Sequence, residues 1–321
     1  MNDSVKTFFA CVALSVALAL PSAFAAPTAG QSQFGTPLAA VDALAAAVKK
    51  QDDAALLTLF GAGAGDILHS GDPIQDRQAF ERFSERLDQK IALVRQSDDV
   101  IALELGQDDW PFPIPLQHSE KGWYFDTVAG RDELFSRRIG ANELHTLGVV
   151  RAYADAQYEY AKLDPDGDSK ADYADRLMSS EGKKDGLYWP ATPGQAESPM
   201  GPLVAAAAAE GYRKDVRKSG NSYHGYHYKL LTAQGDAAPG GKRSYLKAGA
   251  LIGGFGLVAY PAEYGESGIM TFIVNQQGIV FQKDLGKDTE KLVTAISAYD
   301  PGEGWTPTGD AFATAEDEAG D

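Results

Sequence analysis

The densest set of potential metal ligands in the chain is Asp164-Pro165-Asp166-Gly167-Asp168-Ser169-Lys170-Ala171-Asp172-Tyr173-Ala174-Asp175. Counting from Asp164, aspartates stand at positions 1, 3, 5, 9 and 12. Calcium takes about six to eight hard oxygens, and this spacing curls several carboxylates round one centre. The expected ligands are Asp164, Asp166, Asp168, Asp172 and Asp175, with the backbone carbonyl of Lys170 at position 7. Two departures separate the run from an ordinary EF-hand loop. Glycine stands at position 4, and position 12 is Asp, whose reach is shorter than that of Glu. A solvated acidic turn after a helix is the other reading, and spacing leaves both open. The role expected of the ion is structural: closing this loop.

Other residue types give weaker patterns. His224 and His227 form H-x-x-H, but residues three apart on a strand point to opposite faces and cannot share an ion unless a turn at Gly225 brings them together. Their neighbours Tyr223, Tyr226 and Tyr228 point to aromatic packing or a rim facing a ligand. His69, His118 and His145 are scattered, with surface or core roles expected. Gly265-Glu266-Ser267-Gly268 only approaches the nucleophile-elbow pattern. Ser244-Tyr245-Leu246-Lys247 matches S-x-x-K but falls in a β-rich block, where serine and lysine would not share a helical face. Asp108 and Asp109 beside Trp110 could form a sugar platform. Adjacent carboxylates in extended chain point apart, however, and a tryptophan anchoring a proline-rich crossover is the plainer reading. Tyr188-Trp189-Pro190 reads as an apolar plug. The glycine run at 61–65 lacks a following Lys-Ser/Thr and is not a phosphate loop. Catalytic residues are therefore unknown, and no cofactor-binding residues are assigned.

The elements that would position these residues divide in two. The first unit, 34–138, opens with Thr36 as N-cap and Pro37 as first helical residue. Leu38, Val41, Leu44, Ala45 and Val48 then recur at helical spacing. Further helices are expected at 53–60 and 77–89, and strands at 100–105 and 122–126. Pro111, Pro113 and Pro115 enforce an extended segment excluded from a central strand. The second unit, 139–305, begins with Asn142 capping a long helix, 142–162, ended by Asp164-Pro165. A short alanine helix at 203–210 stops at Gly211. From Asn221 to Leu285 apolar and polar residues alternate, as in an antiparallel sheet with one wet face. Residues 26–33 are read as a flexible leader and 306–321 as an acidic disordered tail.

Composition bounds the function. The 321 residues carry 29 Lys+Arg against 45 Asp+Glu, a net charge of -16. Such a surface repels phosphate backbones, so nucleic acid is excluded as an expected partner. An unknown envelope protein or a small neutral or cationic ligand fits better. Lys6, an apolar run over 7–20, Pro21 and Ala23-Phe24-Ala25 form a secretory signal cleaved after Ala25. The run is short for a bilayer, which takes about 20 apolar residues, so no membrane span is expected after cleavage. The single cysteine, Cys11, lies within the signal, and the expected mature protein has no thiol chemistry. The expected location is periplasmic or secreted.

Three resemblances add to this reading. The opening FGTPLAAVDALAAAVKKQDDAALLTLF and the later GWYFDTV look like the NTF2-like cone, which implies helices wrapped on an antiparallel sheet. The helix, loop and meander of the second unit, with GLVAYPAEYGESGIMTFIVNQQGIV, resemble the soluble part of pilins and pseudopilins. It lacks a prepilin processing motif and a hydrophobic half-helix continuous with 142–162. Across 34–305, the phrases DDWPFPIPL, RRIGANEL, DGLYWP, SPMGPLVAAAAAEGY and YHGYHYKLLTAQG resemble a secreted bacterial family catalogued as domain of unknown function 2950. The resemblance implies an envelope or secreted protein. The expectation is an α+β chain of two domains, acting as a non-enzymatic binding or scaffold module with calcium fixing one loop. The alternative is a periplasmic hydrolase or small-ligand enzyme using the first-domain cavity. For the acidic run, calcium is expected to raise the unfolding temperature, and Asp166→Ala with Asp168→Ala to abolish the rise. Identical melts in calcium and in chelator would remove the ion from the account.

Overall fold

The computed structural model describes residues 26–61, 63–165, 167, 172–194, 196–212 and 222–309. The signal segment therefore lies outside the described residues, as do Asp166, Asp168, Lys170 and residues 310–321. The fold is α+β, with helices against antiparallel sheets.

Four helices open the chain: α1 (Pro37–Lys50), α2 (Asp53–Phe60), α3 (Ala64–Leu68) and α4 (Pro73–Gln89). Local chemistry starts three of them. Thr36 accepts from the Ala39 amide ahead of Pro37, and Asp52 accepts from Ala55. Asp72 accepts from Ile74 and Gln75 ahead of Pro73, so α4 begins one turn before the expected residue 77. A four-stranded sheet follows, ordered β1 (Ile91–Arg95), β2 (Val100–Leu105), β3 (Trp110–Ser119), β4 (Gly122–Phe125). Leu44, Leu56, Leu103, Leu105, Leu116 and Phe125 close the core between helices and sheet. Each such buried side chain contributes about 1.5–3 kcal/mol.

The expectation that the proline segment is barred from a central strand is corrected. β3 lies between β2 and β4. Prolines are tolerated because β4 pairs only with its end, Leu116–Ser119 against Gly122–Phe125. Along the proline half, Trp110 and Phe112 pair with β2 opposite Leu105 and Leu103. Strand alternation turns Pro111, Pro113 and Pro115 toward the other edge, where an amide would find no strand partner. That edge is closed otherwise: Arg137 donates to the Pro111 carbonyl at 3.0 Å, and the Asp126 amide to Pro115 at 2.9 Å.

The largest departure is α5 (Thr127–Leu163), 37 residues long and capped by Asp126. The expected boundary at 138/139 falls inside this helix, and Asn142 is not its cap. Asn142 is a mid-helix residue, 1% exposed, facing protein on two sides. Gly130 lets the first turn touch β3: a Cβ there would stand 2.7 Å from the Pro113 carbonyl and 2.8 Å from the Ile114 Cα.

The rest of α5 covers a second sheet, ordered β13-β12-β11-β10-β5, with β5 (Tyr226–Leu231), β10 (Gly256–Pro261), β11 (Met270–Asn275), β12 (Phe281–Asp284) and β13 (Thr306–Pro307). Its pairings are antiparallel. Short ribbons interrupt it: β6 (Ala233–Gln234) with β7 (Arg243–Ser244), and β8 (Leu246–Lys247) with β9 (Ala250–Leu251). The expected wet face is absent. Leu257, Ala259, Phe272 and Val274 pack with Tyr153 and Val150 of α5. Val258 and Ile273 pack oppositely with Tyr299 and with Val293 of α7 (Thr289–Ala295). Lys229 secures α7 by donating to the carbonyls of Val293, Thr294 and Ile296.

Both ends of the folded region extend further than expected. The leader residue Gln31 is 8% exposed and donates to the carbonyls of Leu59 and Phe125. At the other end, Thr306 and Pro307 pair with β12, and the Thr308 amide bonds the Val280 carbonyl at 2.9 Å. Between them, α6 (Gly201–Glu210) ends at Gly211, φ 105°.

The packing at Gly130 separates two glycines of one helix. Gly148→Ala, with open space at its Cβ, should stabilise by about 1 kcal/mol through helix propensity. Gly130→Ala should destabilise by about 1–3 kcal/mol through overpacking. Urea unfolding of the two variants measures both; an equal gain in both would show that α5 does not touch the β3 edge.

Candidate functional site

Helix α6 buries none of its ten residues. Leu203, Val204 and Ala207 lie on one face, over an open apolar pocket of about 170 Å³. The floor comes from Val149 and Tyr153 of α5 and Leu257 of β10. Leu177, Met178 and Tyr188 close one side, and Tyr212, Tyr223 and Tyr228 the other. Of the three tyrosines read as aromatic packing or a rim facing a ligand, Tyr223 and Tyr228 line this pocket and Tyr226 is buried in the core. Burial pushes the Tyr223 hydroxyl up to about 12, helped by Glu210. The Tyr228 hydroxyl is raised by burial, against its bond to Thr146.

Behind the Tyr212–Tyr223 wall sits a polar cluster that the sequence did not bring together. His224, 7% exposed, meets Glu210 at 2.8 Å. His145 of α5 stacks on His224 with ring centroids 3.6 Å apart. The Tyr212 ring lies 5.3 Å from His224, and its hydroxyl donates to Asp72 at 2.7 Å. Asp72 thus caps α4 with one oxygen and holds the end of α6 with the other. Burial lowers the His224 imidazole below its ordinary value, as does His145, while Glu210 opposes both. The Tyr212 hydroxyl is raised, first by burial and then by Asp72. His145, Glu210 and His224 offer donor atoms within 4.8 Å of one another. His227 takes no part and lies against Tyr260, ring centroids 5.3 Å apart. The strand argument does not apply, because His224 and Gly225 form a turn before β5 and only His227 lies on the strand; the turn brings His224 to His145 of α5 and not to His227.

A second cavity, about 420 Å³, opens between α4, α5 and β3. Phe80, Phe83, Trp110 and Phe112 line it, with Arg82, Arg86, Arg137 and Arg138. Trp110 lies between Arg86 and Arg137, at 5.1 and 5.3 Å from its ring. Arg86 bonds Asp108 at 3.0 Å and Arg137 bonds Glu133 at 2.7 Å. Arg138 donates to the carbonyls of Asp66 and Ile67, and burial lowers its guanidinium below the ordinary value. The lining carboxylate, Asp76, accepts the Ser70 amide with both oxygens at 3.0 Å.

The remaining candidates fall apart. Asp108 bonds Arg86 and Asp109 bonds Lys90, so adjacent carboxylates serve different cations. Ser267 is buried, its hydroxyl donating to the Glu263 carbonyl and accepting the Glu263 amide. Ser244 and Lys247 are exposed on separate short strands. Trp189, 5% exposed, packs on Tyr160 as an apolar plug. Of the calcium candidates that are described, Asp164 ends α5 at φ 44°, Asp172 is half-buried, and Asp175 pairs with Arg176 at 2.7 Å.

With the site described, comparison places the chain. A family model described as "Protein of unknown function (DUF2950)" matches residues 31–308. The chain belongs to this family. The match runs from Gln31, bonded to the Phe125 carbonyl at the end of β4, to Thr308 beside β12, so it includes the linings of both cavities and the polar cluster. No curated protein and no solved structure matches the chain.

Proposed function

We propose that the protein is an exported, non-enzymatic binding module that takes a small apolar ligand, the size of one aromatic ring, beneath α6. The apolar pocket of about 170 Å³ carries this reading. A comparable cavity of about 150 Å³ lined by apolar side chains stays dry and binds benzene. Tyrosine rings on several sides supply edge and face contacts to a flat ligand. Export is supported by the charged, apolar and small-residue segments before Ala26. Among the described residues, no helix is long and apolar enough to cross a membrane. The acidic run stays with the proposal as a structural calcium loop, supported by its aspartate spacing and by Asp164 turning the chain out of α5. The first-unit cavity, which an enzymatic alternative would use, holds arginines and aromatic rings round a carboxylate already bonded to Ser70. That lining favours binding an anion over proton transfer.

Indole is the probe. At about a hundredfold excess over its Kd, it should raise the unfolding free energy by about 2.7 kcal/mol. Val204→Trp, which fills the pocket from α6, should remove the effect; Ile67→Trp, in the other cavity, should leave it. Calorimetry showing no indole binding, or equal binding by Val204→Trp, would overturn the proposal.

A further inference from the structure

His145, Glu210 and His224 come from α5, the end of α6 and the turn before β5, so their convergence is a product of the tertiary fold. We infer that they form a binding site for a divalent transition-metal ion of the zinc type. Two imidazole nitrogens and a carboxylate oxygen are the donor set of a three-ligand zinc site with a fourth position open. In a tetrahedral site with bonds of about 2.1 Å, neighbouring donors stand about 3.4 Å apart. Donors within 4.8 Å of one another close on one ion when the widest pair draws in by about 1–1.5 Å, a shift that exposed His145 supplies by turning its ring off His224.

The surroundings hold the donors ready. His224 has φ 47°, a left-handed conformation that a non-glycine residue rarely adopts. Gly225 follows at φ 72°, and a Cβ there would lie 2.6 Å from the Asn142 amide nitrogen. The turn is thus pressed onto α5, which aims a buried imidazole at Glu210 and His145. The Glu210 carboxylate stands 2.8 Å from a ring nitrogen of His224, beside the place a cation would sit. Tyr212, bonded to Asp72 and packed on His224, buttresses the ring from behind.

A plain histidine–glutamate hydrogen bond tying α6 to β5 is the competing explanation, and zinc separates the two. The untagged mature chain, stripped with chelator, is titrated with zinc sulfate by calorimetry and melted with and without zinc. One equivalent should bind, with a rise in unfolding temperature. His145→Ala, an exposed change that leaves the core intact, should weaken zinc binding by about 100-fold or more, and Glu210→Gln likewise. His227→Ala should bind as the parent does. Failure of the parent to bind zinc overturns the inference, and so does retention of parent affinity by either His145→Ala or Glu210→Gln. Indole plays no part in this titration, so the result is independent of the pocket ligand.

Discussion

One buried amide ties the two halves of the structure together. Asn142, in the middle of α5, accepts from Gln75 of α4 and donates to the Ser267 carbonyl at 2.9 Å. An amide buried in a helix interior is costly unless it is bonded, and here each bond goes to a different half. Gly225 presses on the same side chain, so the turn that presents His224 is held by this contact. Glu143, the next residue, accepts the Ile269 and Met270 amides at the start of β11. These bonds join α4, α5 and the second sheet, and the Tyr212–Asp72 and Gln78–Glu210 bonds join α4 to the end of α6 beside the polar cluster.

The helix that carries Asn142 meets two different surfaces. Its first turns approach β3, where prolines have removed the amides and glycine has removed a side chain. Its later turns present Val150, Tyr153 and Tyr160 to a sheet whose other face is closed by α7. Between them, α5 contributes one wall to the arginine-lined cavity and the floor to the apolar pocket. Two cavities of opposite character thus share a single structural member. The arginines concentrate positive charge locally in a chain whose net charge is -16.

Much of this was legible from local chemistry. Thr36-Pro37, Asp164-Pro165 and Gly211 marked helix ends where the structure has them, because capping is a matter of neighbouring residues. The alternation in β10 and β11 announced strands but not that both faces are covered, since the covering helix α7 is distant in sequence. The prolines of β3 were misjudged for a similar reason: alternate positions direct the missing amides to one edge, and only the tertiary fold shows that α5 closes it. Asn142 looked like a cap because asparagine favours that position, while its actual partners lie 67 and 125 residues away. The cluster at His145, Glu210 and His224 had no local signal at all. Only His224 stood in a noticed motif, and the other histidine of that motif, His227, lies against Tyr260.

Native-state hydrogen exchange tests most directly whether the Asn142 bonds make the two halves one cooperative unit. Amides of β3 and of β10 should open with the same free energy in the parent protein. In Asn142→Ala, which strands the Ser267 carbonyl and the Gln75 amide, both should fall together by about 2–4 kcal/mol. Opening of β3 at a free energy unlike that of β10 in the parent, or a loss confined to one sheet in the variant, would contradict the account.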